Sequence, residues 1–375
     1  MILKNAKLYD KNFNKISGDI RVNGGKICEI GDLTPNGGEV IDCTGCLIVP
    51  GFIDVHIHGG AGGDTCDGKE AMQKISEYLI GHGVTSFCAT TMTLGEEKLT
   101  EIMKDAKKFA GNEKGAKLIG LHLEGPFVNY SKKGAQNGKF VRAGTVEEFD
   151  RLNEASGGLV KLITIAPESF DSDEFIKEVS KKAVVSVGHS NATYDEAKKA
   201  FDCGAEHVTH LFNAMTAFNH RETGVVGGAA DTDKVICELI CDGHHVAPSM
   251  LKIAFKIFGE DRIAVVSDSM KAAGLSDGVY DLGGQEVYVS DNLARLADGT
   301  IAASISNICD EFKNLIRFGI DERTALKACT INPAKSVRAD KFIGSIAVGK
   351  DADLVVLDGD YNIKYVLSKG EMKVK

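Results

Sequence analysis

The residues in this chain that could do chemistry are histidines and carboxylates set at the ends of apolar runs. His56 and His58 lie in the stretch Leu47 to Gly63, where Leu47, Ile48, Val49, Phe52, Ile53, Val55 and Ile57 read as a short buried strand. Residues two apart on a strand share a face, so His56 and His58 project together while Val55 and Ile57 turn away. Two imidazoles side by side suit a divalent metal, and the exit Gly59-Gly60-Ala61-Gly62-Gly63 lets backbone pass close to it. Glu124, His189, His210 and Asp268 each follow another apolar run. Neutral imidazoles with one carboxylate suit Zn²⁺ or Fe²⁺ better than Mg²⁺ or Ca²⁺, which take mostly oxygen ligands. A bound ion of that kind lowers the pKa of water from about 15.7 to about 7 and polarises a carbonyl, which is machinery for hydrolysis. Asp268 faces the same centre and is free to act as acid and base. Each histidine alone fits a core or capping role equally well; their joint placement at strand ends is what points to a metal.

The elements that must position these residues alternate in type. After the opening strand, apolar runs recur at Val84 to Ala89, Lys117 to Leu123, Leu159 to Ile165, Ala183 to Val187, His207 to Thr209, Val235 to Ile240 and Arg262 to Val266. Amphipathic segments such as Lys69 to Ile80, Glu96 to Ala110, Ser172 to Lys181, Tyr194 to Phe201 and Ala247 to Phe258 lie between them. Eight strands alternating with helices predict an α/β fold, a (β/α)8 barrel over residues 50–344, with its active site at the C-terminal ends of the strands. Those ends carry Thr90-Thr91, Glu124, Glu168, His189, His210, Asp242 to His245 and Asp268, besides His56 and His58, and are expected to form one site. Both termini read as short alternating strands broken by Asn23-Gly24-Gly25 and Asn36-Gly37-Gly38, an antiparallel unit on each side. Neither end has enough strands to stand alone, so residues 1–49 and 345–375 are expected to join into one small β-sandwich domain.

Composition bounds the partners. A chain of 375 residues with 43% apolar content can bury a large core, and its net charge of −9 argues against a nucleic acid or an anionic membrane surface as partner. No apolar leader and no run of eighteen apolar residues is present, so a soluble cytoplasmic protein is expected. The ten cysteines are spread along strands and helices and read mostly as small buried hydrophobes; Cys43-Thr44-Gly45-Cys46 lacks a second pair and reads as a turn. The glycines after His58 do not fit GxGxxG, since Thr65 stands where the last glycine belongs. Lys107-Lys108 and Lys132-Lys133 read as solvated faces, and Arg221 reads equally as a surface or an anion-binding residue.

Pro50-Gly51-Phe52-Ile53-Asp54-Val55-His56-Ile57-His58-Gly59 resembles the opening strand of the amidohydrolase superfamily. His122-Leu123-Glu124-Gly125-Pro126-Phe127, Gly188-His189-Ser190, Thr209 to Met215, Cys241 to His245 and Ser267-Asp268 resemble its branch of N-acetylglucosamine-6-phosphate deacetylases, and the likeness runs over essentially the whole chain. The resemblance implies Glu124, His189 and His210 as ligands of one principal metal. Some relatives carry Gln and Asn in place of His56 and His58 and bind one ion, so both histidines together imply room for a second. It further implies Asp268 as general base and then acid. Gln136, Asn213, the Ala214 backbone, Arg221 and His245 would hold a phosphorylated amino sugar, with Arg221 reaching across a homodimer interface. Two positions depart from the pattern: Gln136 stands where the family usually has His, and Ala303 where it commonly has Gly.

The activity so implied is deacetylation of N-acetyl-D-glucosamine 6-phosphate to D-glucosamine 6-phosphate and acetate, in amino-sugar catabolism. Another amidohydrolase, a deaminase or cyclic amidase, is the alternative. Many of those bridge two metals with a carboxylated Lys at the fourth strand end, where this chain has Ile165-Ala166-Pro167-Glu168. A non-catalytic barrel scaffold would have lost a ligand or Asp268, and none is missing.

Overall fold

Strands buried on both faces have no polar side to show to water, which is why the barrel strands read as apolar runs. In the computed structural model, which describes residues 1–375, eight such runs form parallel strands. They are β1 (Phe52–Ile57), β2 (Val84–Thr91), β3 (Lys117–Glu124), β4 (Val160–Ile165), β5 (Val184–Val187), β6 (His207–Val208), β7 (Ile236–Leu239) and β8 (Ile263–Val265), paired in chain order. Helices return the chain between them and bury one stripe each. Lys69–Gly81 buries Met72, Ile75 and Leu79, and Tyr194–Cys203 starts on a capping box of Thr193 with Glu196. The result is the expected (β/α)8 barrel.

Two features of the barrel bear on the site. The seam between β8 and β1 has no ladder along its length and closes only near the mouth. There Asp268 N donates to His56 O at 2.9 Å, His58 N donates to Ser269 O at 2.9 Å, and Ser267 Oγ donates to Asp54 Oδ2 at 2.6 Å. Asp54 is therefore spent on the seam, and burial pushes its carboxyl up to about 7. The interior also holds a polar layer: His122, Thr164, Ser186, His207 and Glu238, one from each of β3 to β7, with Thr209 just beyond β6, are all fully buried.

The termini form one sheet around a core separate from that of the barrel. It is mixed rather than antiparallel. The strand Lys15–Asn23 takes one edge of strand Ile2–Tyr9, so the returning chain adds Val40–Asp42 and Leu47–Pro50 to the other edge, running parallel. Leu354–Leu357 then pairs antiparallel with Leu47–Pro50. The sheet folds over until its far parts meet, with Ile27 N donating to Lys350 O at 3.0 Å and Ala352 N to Gly25 O at 2.9 Å.

A four-strand meander, absent from the sequence expectation, follows β8: Gly278–Leu282, Gln285–Ser290, Leu293–Arg295 and Ile301–Ala303. Its first two turns are two-residue hairpin loops at Gly283-Gly284 and Asp291-Asn292, with positive φ at all four residues. Leu282, Val287, Val289, Ala294 and Ala303 pack with Met92 and Ala135 beneath it, so the methyl of Ala303 is a core atom there.

Candidate active site

The site lies at the C-terminal mouth of the barrel in a cavity of about 430 Å³. A second cavity of about 480 Å³, lined by Lys117, Lys161 and Phe342 among others, holds none of the predicted residues. At the mouth the strands end and the chain turns sharply. His189, His210 and Asp268 stand just past β5, β6 and β8 with φ of +48°, +27° and +46°, a left-handed backbone that non-glycine residues adopt at a cost. Three strained residues in one mouth are all candidate functional groups.

Their side chains converge. Glu124 Oε1 is 3.1 Å from His189 Nε2 and 3.1 Å from His210 Nε2, and the two nitrogens are 3.0 Å apart. His189 Nδ1 donates to Lys132 O at 2.7 Å, which leaves its Nε2 as a lone pair aimed at the same point. Two nitrogens and one carboxylate oxygen crowded this closely make a three-ligand set with an open position, so these residues fit a catalytic metal. A second group adjoins it. His58 Nε2 is 3.1 Å from Glu124 Oε2, His56 Nε2 is 3.4 Å from His58 Nε2, and Asp268 Oδ1 lies 3.4 Å from His56 and 3.3 Å from His58.

The electrostatics agree with a site built for a cation. Burial disfavours charge on every group here, yet Asp268 and Glu124 raise His58 to about 9, and Glu238, Asp268 and Glu124 hold His56 above its usual range. Glu124 and Asp268 sit below the ordinary carboxylate range, against the effect of burial, because His56 and its neighbouring imidazoles face them. Protons and a divalent ion compete for the same lone pairs.

The other predicted residues divide. Gln136, Asn213, Ala214 and His245 line the cavity. His245 Nδ1 is 2.7 Å from Asp242 Oδ2, a bond that fixes its ring. Gln136 is committed at both ends, with Nε2 donating to Glu124 Oε2 and Oε1 accepting from Thr93 N, each at 2.6 Å. Arg221 stands exposed on the 217–222 segment and is not part of this chain's cavity lining.

Two expectations change. Not every strand-end acid joins the site: Glu168 instead accepts from Asn129 Nδ2, Ser190 Oγ and Asn191 N, which steadies the loops beside His189. Lys132 is no solvated face. Its carbonyl serves His189, its Nζ donates to Met215 O at 3.0 Å, and the residue lines the cavity, which Lys133 beside it does not. Sequence reasoning also passed over Glu238, in contact with His56 from the middle of β7; the available signal was an acid inside an otherwise apolar strand.

The chain is similar to known proteins along nearly its whole length. A model of the amidohydrolase family matches residues 47–373. The chain is 36% identical over 382 residues to N-acetylglucosamine-6-phosphate deacetylase of Bacillus subtilis (strain 168), covering 99% of this chain and 96% of that one. It is 32% identical over 330 residues to N-acetylgalactosamine-6-phosphate deacetylase of Escherichia coli O157:H7, covering 87% of each. Among solved structures, a mutant N-acetyl-D-glucosamine-6-phosphate deacetylase from Mycobacterium smegmatis in complex with N-acetyl-D-glucosamine-6-phosphate superimposes with a TM-score of 0.93 at 31% identity, covering 100% of this chain and 99% of that one.

Proposed function

The chain belongs to the amidohydrolase family, and from that premise we propose that it hydrolyses the acetamide of N-acetyl-D-glucosamine 6-phosphate, releasing acetate and D-glucosamine 6-phosphate. The observation that carries this reading is the convergence of Glu124, His189 and His210 with Asp268 in one cavity. Glu124, His189 and His210 would hold the principal ion, zinc or iron, and His56 with His58 a second. Bound there, such an ion would supply Lewis acidity for an amide carbonyl and for water near neutral pH. Asp268 takes the proton that the attacking water loses. It then returns that proton to the departing nitrogen, because an amide anion is too poor a leaving group to go unprotonated.

The remaining residues hold the sugar. His245, its ring set by Asp242, and Asn213, with its amide group on the His210 and Leu211 carbonyls, present polar atoms to the hydroxyls. Gln136 and the Ala214 backbone complete that wall. A phosphate dianion in a chain of net charge −9 needs a dedicated cation. Lys132 offers one from the same chain, and Arg221, exposed on its loop, offers the second from a partner copy in a homodimer. A deaminase or cyclic amidase of the lysine-bridged kind is not favoured, since β4 ends in Ile165-Ala166-Pro167 and Glu168 is bound to three donors elsewhere.

The test is acetate release from N-acetylglucosamine 6-phosphate beside its galactosamine and mannosamine epimers and the unphosphorylated sugar. Fastest turnover of the phosphorylated glucosamine is expected; no acetate from any of the four would refute the reading. Arg221→Ala should raise KM about tenfold or more for the phosphorylated sugar and leave the unphosphorylated one unchanged. Equal effects on both would remove Arg221 from the phosphate site.

A further inference from the structure

Glu238 is an acid in the middle of a barrel strand, fully buried. Leaving a carboxylate in such a place unpaired is strongly destabilising, so its partner should be a residue the protein needs held. That partner is His56: Glu238 Oε2 lies 2.8 Å from His56 Nδ1. The other candidate partners are committed elsewhere. His122 Nε2 bonds Thr164 Oγ1 at 2.7 Å and His207 Nδ1 bonds Ser186 Oγ at 3.1 Å, while both rings stay about 4 Å from the second carboxylate oxygen, at 4.0 and 3.9 Å. Glu238 Oε1 meets no hydrogen-bond donor at all. The whole commitment of this acid therefore passes through one oxygen.

That oxygen also accepts the backbone N–H of His210 at 3.0 Å. One buried atom thus registers the ring of His56 and the strained backbone of His210, a residue from each of the two ligand groups. Because a carboxylate only accepts, His56 must carry a proton on Nδ1, which leaves Nε2 as its one atom for an ion, facing His58 Nε2, Glu124 Oε1 and Asp268 Oδ1, each at 3.4 Å. Resting on the metal reading above, we propose that Glu238 is a positioning residue: it fixes the tautomer and orientation of His56 and thereby makes it a ligand of the second ion. Carboxylate partners of ligating histidines raise ligand basicity, and removing them typically weakens metal binding by about 10- to 100-fold.

The experiment measures zinc content and zinc affinity by elemental analysis and chelator competition in four proteins: wild type, Glu238→Gln, His56→Asn, and the double variant. Wild type should hold two ions. Glu238→Gln keeps an acceptor in place but removes its charge, so it should retain the tighter ion and bind the weaker one about 10- to 100-fold less well. His56→Asn should lose the weaker ion, and adding Glu238→Gln to it should change nothing further, because the acid acts through that ring. The inference is overturned by a wild type that holds one ion, by second-ion affinity that does not move in Glu238→Gln, or by equal weakening of both ions. Histidine ¹⁵N spectra of zinc-loaded wild type give a readout that needs no variant to fold: a His56 that ligates through Nδ1 and keeps its proton on Nε2 overturns the inference, and one that keeps its proton on Nδ1 supports it. No arm uses acetate release. A protein that holds two ions but deacetylates nothing would therefore sink the proposed reaction alone, whereas two ions indifferent to Glu238 would sink only this inference.

Discussion

Two tiers of histidine share one barrel, equally buried and oppositely employed. In the upper tier His56, His58, His189 and His210 crowd around Glu124 and Asp268, and charge on His56, His58 and His210 is favoured despite burial. In the lower tier His122 and His207 see hydroxyls at contact and one carboxylate oxygen at about 4 Å, 4.0 and 3.9 Å respectively. Burial, with His56 and the other lower-tier ring adding to it, drives His122 down to about 3, and burial lowers His207 likewise. The difference teaches that depth does not make a histidine a ligand. What decides is whether a carboxylate stands at contact or a hydroxyl does. Buried acids obey the same rule in reverse. Glu238, with His56 against it, is held down at about 2 although burial opposes this, whereas Glu311 has no imidazole beside it, and burial with Asp242 nearby pushes it well above the usual range.

The comparison breaks most visibly at Glu124, the acid every upper-tier histidine touches. Glu124→Ala should empty the principal site and abolish turnover; full metal content in that variant would show that the tier does not depend on its carboxylate. Asp268→Asn keeps the size and leaves the other ligands, so it should retain the principal ion and lose about a hundred- to ten-thousand-fold in kcat. Activity restored by added metal would assign Asp268 to metal holding instead. In the lower tier, His122→Gln should keep the metal and reduce stability by about 1–3 kcal/mol through its bond to Thr164, read by denaturant titration. Loss of metal there would erase the distinction between tiers.

The smallest effect belongs to Glu311→Gln. In the native state this carboxyl holds its proton to higher pH than it does unfolded, so the folded form binds more protons and wild-type stability falls as pH rises above about 4.5. The variant lacks that ionisation. It should match wild type at pH 4 and become relatively more stable toward neutrality, in denaturation midpoints measured across that range.

The upper tier was legible in the sequence because Glu124, His189, His210 and Asp268 follow apolar runs, while His56 shares a strand face with His58 ahead of a glycine-rich exit. Glu238 was hidden by the same logic, since a residue inside an apolar run is read as part of the strand. Glu168 misled because sequence position marks a strand end but not the direction of the side chain that follows, here taken by Ser190 and Asn129. Lys132 passed as a surface charge because the carbonyl that serves His189 belongs to the backbone, which every residue type shares. The left-handed turns at His189, His210 and Asp268 carry no glycine to announce them. The meander did carry signals, in Gly283-Gly284 and Asp291-Asn292, but its strands alternate in burial, unlike the continuous runs by which the barrel was found.

The seam between β8 and β1 gives the molecule an internal gauge. Two of the amides that latch it belong to Asp268 and His58, and the first of them is accepted by the carbonyl of His56. Opening the cylinder at its weakest joint and scattering the chemical groups are therefore one event, with one free energy. Solvent exchange at the Asp268 and His58 amides would read that free energy directly, measuring how well the site is organised before any metal or sugar arrives.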